Sequence, residues 1–349
     1  MVQLISIRCF MLPRCGFNLD GRRRQPEDMT RLLITGGAGF IGGRVAALAL
    51  EAGHAVTVLD DLSTGRAERL AALEAAGVRA VRGDLRDPEA RSNALEEVEA
   101  VVHLAAQVSV PRSVEDPQET ASINVHATEA LGHDMASRGV QRLVLASSAA
   151  VYGDALDLPL NEDAEGHRLS PYADSKWSNE QEVIRRRSEG WEALALRFFN
   201  VYGTGQRSDG AYAAVVPAFV DRMCSGQAPR ILGTGEQTRD FVHVDDVAGL
   251  LLHLATSPWR STPRHAYNVA TGRGVSLLDL VDTVAGALRA RGVDGAHLTP
   301  EFGPPRPGDI TDSLASVDAI RHDLGWQAAV PLDEGLARMV AERLANPSE

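Results

Sequence analysis

A tyrosine followed four residues later by a lysine, Tyr172-Ala173-Asp174-Ser175-Lys176, is the first pattern in this sequence that suggests chemistry. Lys176 is the sole lysine: of 35 lysines plus arginines, the other 34 are arginine. On a helix, positions i and i+4 share a face, so the ammonium would stand beside the phenol. Lysine is a compact point charge with three rotatable donors, where arginine is a planar fork. Such a charge can steady a phenolate and also hydrogen-bond a ribose. We read Tyr172 as an acid/base tuned by Lys176; the plain alternative is an exposed helix residue. The pair needs a cofactor, a substrate and elements to position both.

Composition sets the frame. The chain has 349 residues, 44% hydrophobic and 23% charged, which suits one large soluble domain or two lobes. A formal net charge of −12 argues against nucleic acid or an anionic membrane as the main partner. Cys9, Cys15 and Cys224 form no C-x-x-C pair, so neither a zinc site nor a disulfide framework is suggested. No apolar run approaches the length of a membrane span. Residues 1–28 lack periodicity and read as a disordered extension, with the folded chain starting at Met29. Cytoplasm is the expected location.

The positioning elements alternate. Strands are expected at Arg31–Thr35, Ala55–Asp60, Val78–Arg82, Ala100–Leu104, Arg142–Ser147 and Ala193–Phe198. Helices are expected between them, at about Phe40–Ala52, Ala67–Ala76 and Pro88–Glu97, in one long run over Pro117–Arg138, and from the Tyr172 stretch onward. This alternation is the signature of an α/β fold with a doubly wound parallel sheet of the Rossmann type. We assign residues 29–199 to a dinucleotide-binding domain. Beyond Asn200 glycines and prolines multiply, and residues 200–349 read as a smaller mixed α/β substrate lobe with some segments returning to the main sheet. Helices at about Val244–Ala255, Leu277–Arg291 and Leu332–Leu344 and a strand around Ala266–Ala270 belong to this part.

Thr35-Gly36-Gly37-Ala38-Gly39-Phe40-Ile41-Gly42 joins the first strand to the first helix. It satisfies G-x-G-x-x-G, and the following helix N-terminus offers free N–H groups to a pyrophosphate. Asp60, 18 residues after Gly42, ends the second strand where a carboxylate should meet the adenosine ribose. Asp61 follows it and would repel a 2′-phosphate, so NAD is inferred rather than NADP. The alternative is that both aspartates only cap the turn before Ser63-Thr64-Gly65. Asp84 and Leu85 after the third strand could touch adenine. Leu104, Ala105, Ala106 and Gln107 lie at the same sheet edge, where ligands bind in such folds. Ser147 and Ser148 end the fifth strand there, and a serine at that place could hand a substrate proton to Tyr172.

Together, TGGAGFIG, the aspartate after strand two, SSAAVYG and YADSK resemble the extended short-chain dehydrogenase/reductase family. Leu196–Gly203, Gly233–Phe241 and Arg306-Pro307-Gly308-Asp309-Ile310 make the chain similar to nucleotide-sugar 4-epimerases of the UDP-glucose 4-epimerase type. The resemblance runs from about Arg31 to Ala345. It implies that Ser148, Tyr172 and Lys176 are catalytic. It implies cofactor contacts from Gly36, Gly39, Phe40, Ile41, Gly42, Asp60, Asp61, Ser63, Gly65, Asn124 and Phe198. Substrate contacts follow for Asn200, Val216, Arg239, Arg306, Asp309 and Ser313, with the two arginines clamping a diphosphate.

The resemblance also implies limits. Family members that dehydrate the sugar carry an acidic pair after the catalytic hydroxyl, where this chain has Ala149 and Ala150. Ala150 and Val108 depart from the best-known branch, which has threonine and lysine there, and favour a shorter bacterial-type branch. Ser313, small where a bulky gate would exclude an N-acetyl group, implies tolerance of UDP-N-acetylglucosamine as well as UDP-glucose. Arg207 leaves UDP-glucuronate as an alternative substrate, although the glucuronate enzymes tend to have threonine where Asn200 stands. A homodimer through the helices near Pro117–Arg138 and Pro171–Arg187 is expected.

Overall fold

The computed structural model describes residues 29–155, 157–207, 214–257, 262–293, 298–305 and 311–346. The expected extension, residues 1–28, lies outside them. The strands in chain order are β1 (Arg31–Thr35), β2 (Ala55–Asp60), β3 (Arg79–Arg82), β4 (Ala100–His103), β5 (Arg142–Ser148), β6 (Glu192–Phe198), β7 (Asn200–Tyr202), β8 (Arg230–Leu232), β9 (Thr238–His243), β10 (Ala266–Val269), β11 (Gly274–Ser276) and β12 (Glu301–Gly303). The helices of the first half are α1 (Phe40–Glu51), α2 (Ala67–Ala75), α3 (Pro88–Ala94), α4 (Val110–Glu115), α5 (Pro117–Ala121), α6 (Ala127–Ser137) and α7 (Pro171–Ser188). Those of the second half are α8 (Val215–Cys224), α9 (Val244–Thr256), α10 (Leu277–Arg289), α11 (Asp318–Leu324) and α12 (Leu332–Ala345).

Seven strands form one parallel sheet in the order β10-β6-β5-β4-β1-β2-β3. Its central strands are buried on both faces, which is why LLIT, VTVLD and AVVH read as continuous apolar runs rather than alternating ones. The order reverses between β1 and β4, and the crevice at that switch point is where ligands of open α/β sheets bind. Residues beyond 200 supply β10 to this sheet, while β11-β9-β7 and β12-β8 make two small sheets of their own. Tyr202, Phe219, Phe241, Leu280 and Leu336 build a separate core there. Strands of three residues flanked by glycine show no period-two pattern, so β7, β8, β11 and β12 were not legible from sequence. The same holds for the short helices α4 and α11.

The expected long helix over residues 117–138 is one continuous rod with a wide π turn at Ser122–His126 between α5 and α6. Such turns recur at functional sites. Here the turn carries Asn124, which is fully buried. Helix α7 starts where expected: Ser170 accepts from the Ala173 N–H and Pro171 takes the first turn. Arg185, Arg186 and Arg187 in its last turn suit the negative end of the helix dipole.

The buried face of α7 is mostly polar: Ser175, Lys176, Asn179, Glu180, Glu182 and Arg186. Glu180 is wholly buried and accepts from Arg197 Nε (2.9 Å), Arg197 Nη2 (2.7 Å) and the Ser147 hydroxyl (2.5 Å). Arg197 also donates to the Tyr152 hydroxyl (3.0 Å) and the Glu162 carbonyl (2.8 Å). Tyr152 donates in turn to Asn268 Oδ1 at 2.5 Å, and Asn268 Nδ2 holds the carbonyls of Leu160 and Ser316. One buried pair thus ties β5, α7, β6, β10 and the 153–170 loop together. These hydrogen bonds hold the Glu180 carboxyl down to about 2 despite its burial. A depressed carboxylate contributes stability above its unfolded value and loses it as pH falls toward the folded one. We predict that Glu180→Ala, which strands the Arg197 charge, lowers unfolding free energy by about 3–5 kcal/mol in urea titrations. Wild-type stability should fall between about pH 4.5 and 2, and this component of the fall should be missing from the variant.

Candidate active site

The glycine turn leaves the C-terminal edge of β1 at the switch point. Gly36 has φ +71°, and a Cβ on it would come within 2.9 Å of the Ala105 N. A Cβ on Gly42 would collide with the Gly36 carbonyl, so the turn closes only with glycine there. The first N–H groups of α1 have no side-chain cap, leaving them for an anion. Asp60 is 8% exposed and accepts from the Ala38 N–H at 2.9 Å and the Leu62 N–H at 2.8 Å. Each carboxylate oxygen keeps a second lone pair, enough for a ribose hydroxyl. Burial raises the Asp60 carboxyl against the pull of those two bonds. Asp61 is different: it is exposed and accepts from Ser63 N (2.9 Å) and Ser63 Oγ (2.6 Å), so it caps the turn. Gly65 packs on the Asp60 carboxylate, where a Cβ would come within 2.7 Å of Oδ1.

Behind the turn runs a buried chain that sequence reasoning missed. Thr35 Oγ1 accepts from the N–H groups of Leu104 and Ala105, both at 3.1 Å. Its own proton therefore goes to His103 Nδ1 (2.7 Å), while His103 Nε2 donates to Thr128 Oγ1 (2.8 Å). Thr128 passes its proton to the Asn124 carbonyl at 2.7 Å, which fixes the histidine tautomer. Burial, and then the Lys176 charge, pull the imidazole down to about 3, so it stays neutral. The Asn124 amide spans Gln107 and Ser175, accepting from Gln107 N at 2.8 Å and donating to Ser175 Oγ at 3.0 Å. Asn124 and Gln107 were expected as cofactor contacts; the Asn124 amide is instead bonded to the Gln107 backbone and to Ser175.

The register brings the catalytic candidates to the same edge. Thr35 pairs with His103, His103 with Leu145, and Ser148 with Phe198. The Ser148 hydroxyl, which accepts from the Ala150 N–H at 3.2 Å, lies near enough to the Tyr172 phenol to favour its anion. Lys176 is 4% exposed, donates to the Ala146 carbonyl at 2.9 Å and lies 5.8 Å from the Tyr172 ring centre. Burial pulls its ammonium down to about 8. Burial also pushes the Tyr172 phenol above its ordinary 10, and the nearby Ser148 offsets that only in part. The phenol beside Lys176 therefore stays protonated at neutral pH.

Other candidates fall into three groups. Asn200 pairs with Phe241 on β9, two residues from Arg239, and Arg239 Nη1 donates to the carbonyls of Thr238 (2.8 Å) and Thr311 (3.1 Å). Ser313 is half-buried beside them, donating its N–H to the Thr238 carbonyl at 3.1 Å. A second group has structural partners: Asp84 is ion-paired with Arg86, which also reaches Glu119. Leu85 and Val216 are core residues, 7% and 2% exposed, and the Gln107 side chain holds Ser109 and Thr120. Arg207 is exposed. Arg306 and Asp309 lie outside the described residues. Trp177, bulky beside Lys176, carries the Arg168 guanidinium 5.2 Å from its ring, and Arg168 also pairs with Asp174.

A glycine turn at a helix N-terminus, a buried carboxylate after β2 and a serine, a tyrosine and a lysine share one sheet edge. Residues 32–270 match the NAD dependent epimerase/dehydratase family, and the chain belongs to that family, with NAD as its cofactor. It is 38% identical to a UDP-glucose 4-epimerase of Mycolicibacterium smegmatis over 91% of this chain and 100% of that protein. It superposes with TM-score 0.83, at 31% identity, on a UDP-N-acetylglucosamine 4-epimerase of Methanobrevibacter ruminantium in complex with UDP-N-acetylmuramic acid, covering 91% of this chain and 99% of the other. A Thermus thermophilus UDP-glucose 4-epimerase in complex with NAD gives 0.76 at 35% identity, over 89% and 98% of the two chains.

With Lys176 protonated below about 8 and Tyr172 active as its anion, kcat should rise and then fall with pH. We predict that Lys176→Arg lowers kcat about 100-fold and removes the falling limb, because a guanidinium stays charged. A pH–rate profile of both proteins checks this.

Proposed function

We propose that the chain interconverts the C4 epimers of a UDP-sugar. The observation that carries this reading is the placing of Ser148, at the end of β5, and the buried Lys176, bonded to the Ala146 carbonyl, beside Tyr172 on the sheet edge that bears the glycine turn. Two alanines, Ala149 and Ala150, follow Ser148. Elimination of water would need an acid and a base there, so a dehydratase is the weaker reading. NAD supplies the C4 chemistry, withdrawing and returning a hydride, so that the sugar passes through a 4-keto state.

The chain supplies proton transfer and positioning. Tyr172 takes the proton of the sugar 4-hydroxyl, directly or through Ser148, and returns it. Burial raises the Tyr172 phenol, which is neutral at pH 7. Lys176 would favour the phenolate, and the positive charge that NAD⁺ brings would add to it. Lys176 also suits the nicotinamide ribose, since its ammonium carries two further protons beyond the one on Ala146 O. Asp60 holds the adenosine ribose, and the N-terminus of α1 at Phe40 and Ile41 holds the pyrophosphate.

Asn200 and Arg239 hold the substrate diphosphate, an arrangement supported by their neighbouring places on β7 and β9. Arg306 and Asp309 are assigned to the same ligand from sequence alone. The nucleotide stays anchored while the keto sugar turns over and offers its other face. This reading divides the chain into residues 29–199 for the dinucleotide and mainly 200–349 for the sugar nucleotide. It expects a homodimer through the 117–138 and 171–187 helices, on which Ile184 is 39% exposed. None of the described helices is long and apolar enough to cross a membrane.

Ser313 is small and half-buried, which supports reading it as a gate that admits a C2 N-acetyl group. We predict that UDP-galactose and UDP-N-acetylgalactosamine are both converted to their C4 epimers without added NAD, and UDP-glucuronate is not. Ser313→Tyr should lower kcat/KM for the N-acetyl sugar about tenfold more than for UDP-galactose. Chromatographic resolution of the epimers measures both. Conversion of UDP-glucuronate alone would move the assignment to the glucuronate series and give Arg207 the C6 carboxylate.

A further inference from the structure

Arg69, on α2, touches neither of the expected ligand sites, yet it joins them. Its Nη1 donates to the Ala38 carbonyl at 3.3 Å, inside the glycine turn. Its Nη2 donates to the Gly205 carbonyl at 2.8 Å, in the loop that follows β7 and Asn200. The two acceptors are far apart in sequence, and one planar guanidinium holds both. Its stem lies on Gly43 of α1, where any Cβ would collide with Arg69 Cδ. The guanidinium is half-buried, and burial lowers it from its ordinary value.

Both ends of this link are pinned. Ala38 gives its N–H to Asp60 Oδ2 at 2.9 Å, and its carbonyl also accepts from the Arg66 N–H at 3.1 Å. Any shift of the turn on closing around a dinucleotide therefore moves an acceptor that Arg69 is bonded to. Gly205, with φ +78°, gives its N–H to Glu342 Oε2 of α12 at 3.2 Å while its carbonyl takes Arg69. Gln206 Nε2 then holds the Val201 carbonyl at 3.2 Å, so the loop is tied back to the strand that bears Asn200.

We propose that Arg69 is a positioning residue that couples the two sites: occupancy of the dinucleotide turn strengthens nucleotide-sugar binding through Gly205. This rests on the reading of Asn200 and Arg239 as a nucleotide-diphosphate site. The coupling is reciprocal by linkage, so the sugar nucleotide tightens NAD by the same factor. It runs through a contiguous set of hydrogen bonds rather than through space.

The test is UDP binding by calorimetry to the full-length protein, stripped of dinucleotide and then reloaded with NAD. Wild type should bind UDP about tenfold tighter when loaded. In Arg69→Met the ratio should fall to about one, and in Arg69→Lys, which can reach one carbonyl only, it should be intermediate. Glu342→Ala, which frees the Gly205 N–H but leaves the Arg69 bridge, should weaken UDP binding in both states and keep the ratio. Melting curves identify a misfolded variant; if Arg69→Met is one, Arg69→Lys decides. A wild-type ratio of one, or an Arg69 variant with the wild-type ratio, overturns the coupling and leaves the UDP site standing. No UDP binding to loaded wild type overturns the substrate reading, and the coupling with it.

Discussion

Three consecutive residues at the end of β5 are held by three turns of α7, and the active site depends on that seam. The Ala146 carbonyl accepts from Lys176, the Ser147 hydroxyl donates to Glu180, and Ser148 stands near the Tyr172 phenol. The seam is polar and buried, so each group must be satisfied or it destabilises the fold. A helix docked by apolar side chains alone could slide by a methyl group at little cost. One docked by directed hydrogen bonds has a single register, and catalysis needs that register to place a phenol on a serine. The Glu180–Arg197 pair locks the far side of the seam to β6 and, through Tyr152 and Asn268, to β10.

Charge is distributed to match this task. The pair of Glu180 and Arg197 is neutral overall, and His103 is held neutral by burial. The Lys176 ammonium is therefore left as the dominant local charge near the phenol, lowered but still protonated at pH 7. Burial nevertheless raises the phenol above its ordinary value. Ala149 and Ala150, which follow Ser148, carry no acid or base.

How much of this was legible in the sequence follows from how local each feature is. The glycine turn, Asp60 and the tyrosine–lysine spacing are written in short motifs whose physics is local, and the structure places them on one edge. Asp61 next to Asp60 could not be told from it by spacing; only the bonds to Ser63 show that it caps the turn. Arg197 and Glu180 read as ordinary charges among 34 arginines and many carboxylates, because their burial is set by partners far along the chain. The π turn at Asn124 was invisible, since a helix with one wide turn has nearly the apolar period of a regular one. Val216 was assigned to the substrate by motif position, yet it packs with Phe219 and Val220 in the second core. The strands β7, β8, β11 and β12 were lost because three residues carry too little pattern.

On the proposed function, the hydrogen at C4 leaves and returns within one protein, while only the hydroxyl proton passes through Tyr172. This is tested most directly by supplying UDP-galactose carrying deuterium at C4, in ordinary water, to the full-length enzyme with its NAD. Mass spectrometry and proton NMR of the epimerised sugar should find the deuterium retained at C4, with no net NADH formed. Replacement of that deuterium by solvent hydrogen would contradict the account, because it would mean that C4 is deprotonated rather than oxidised.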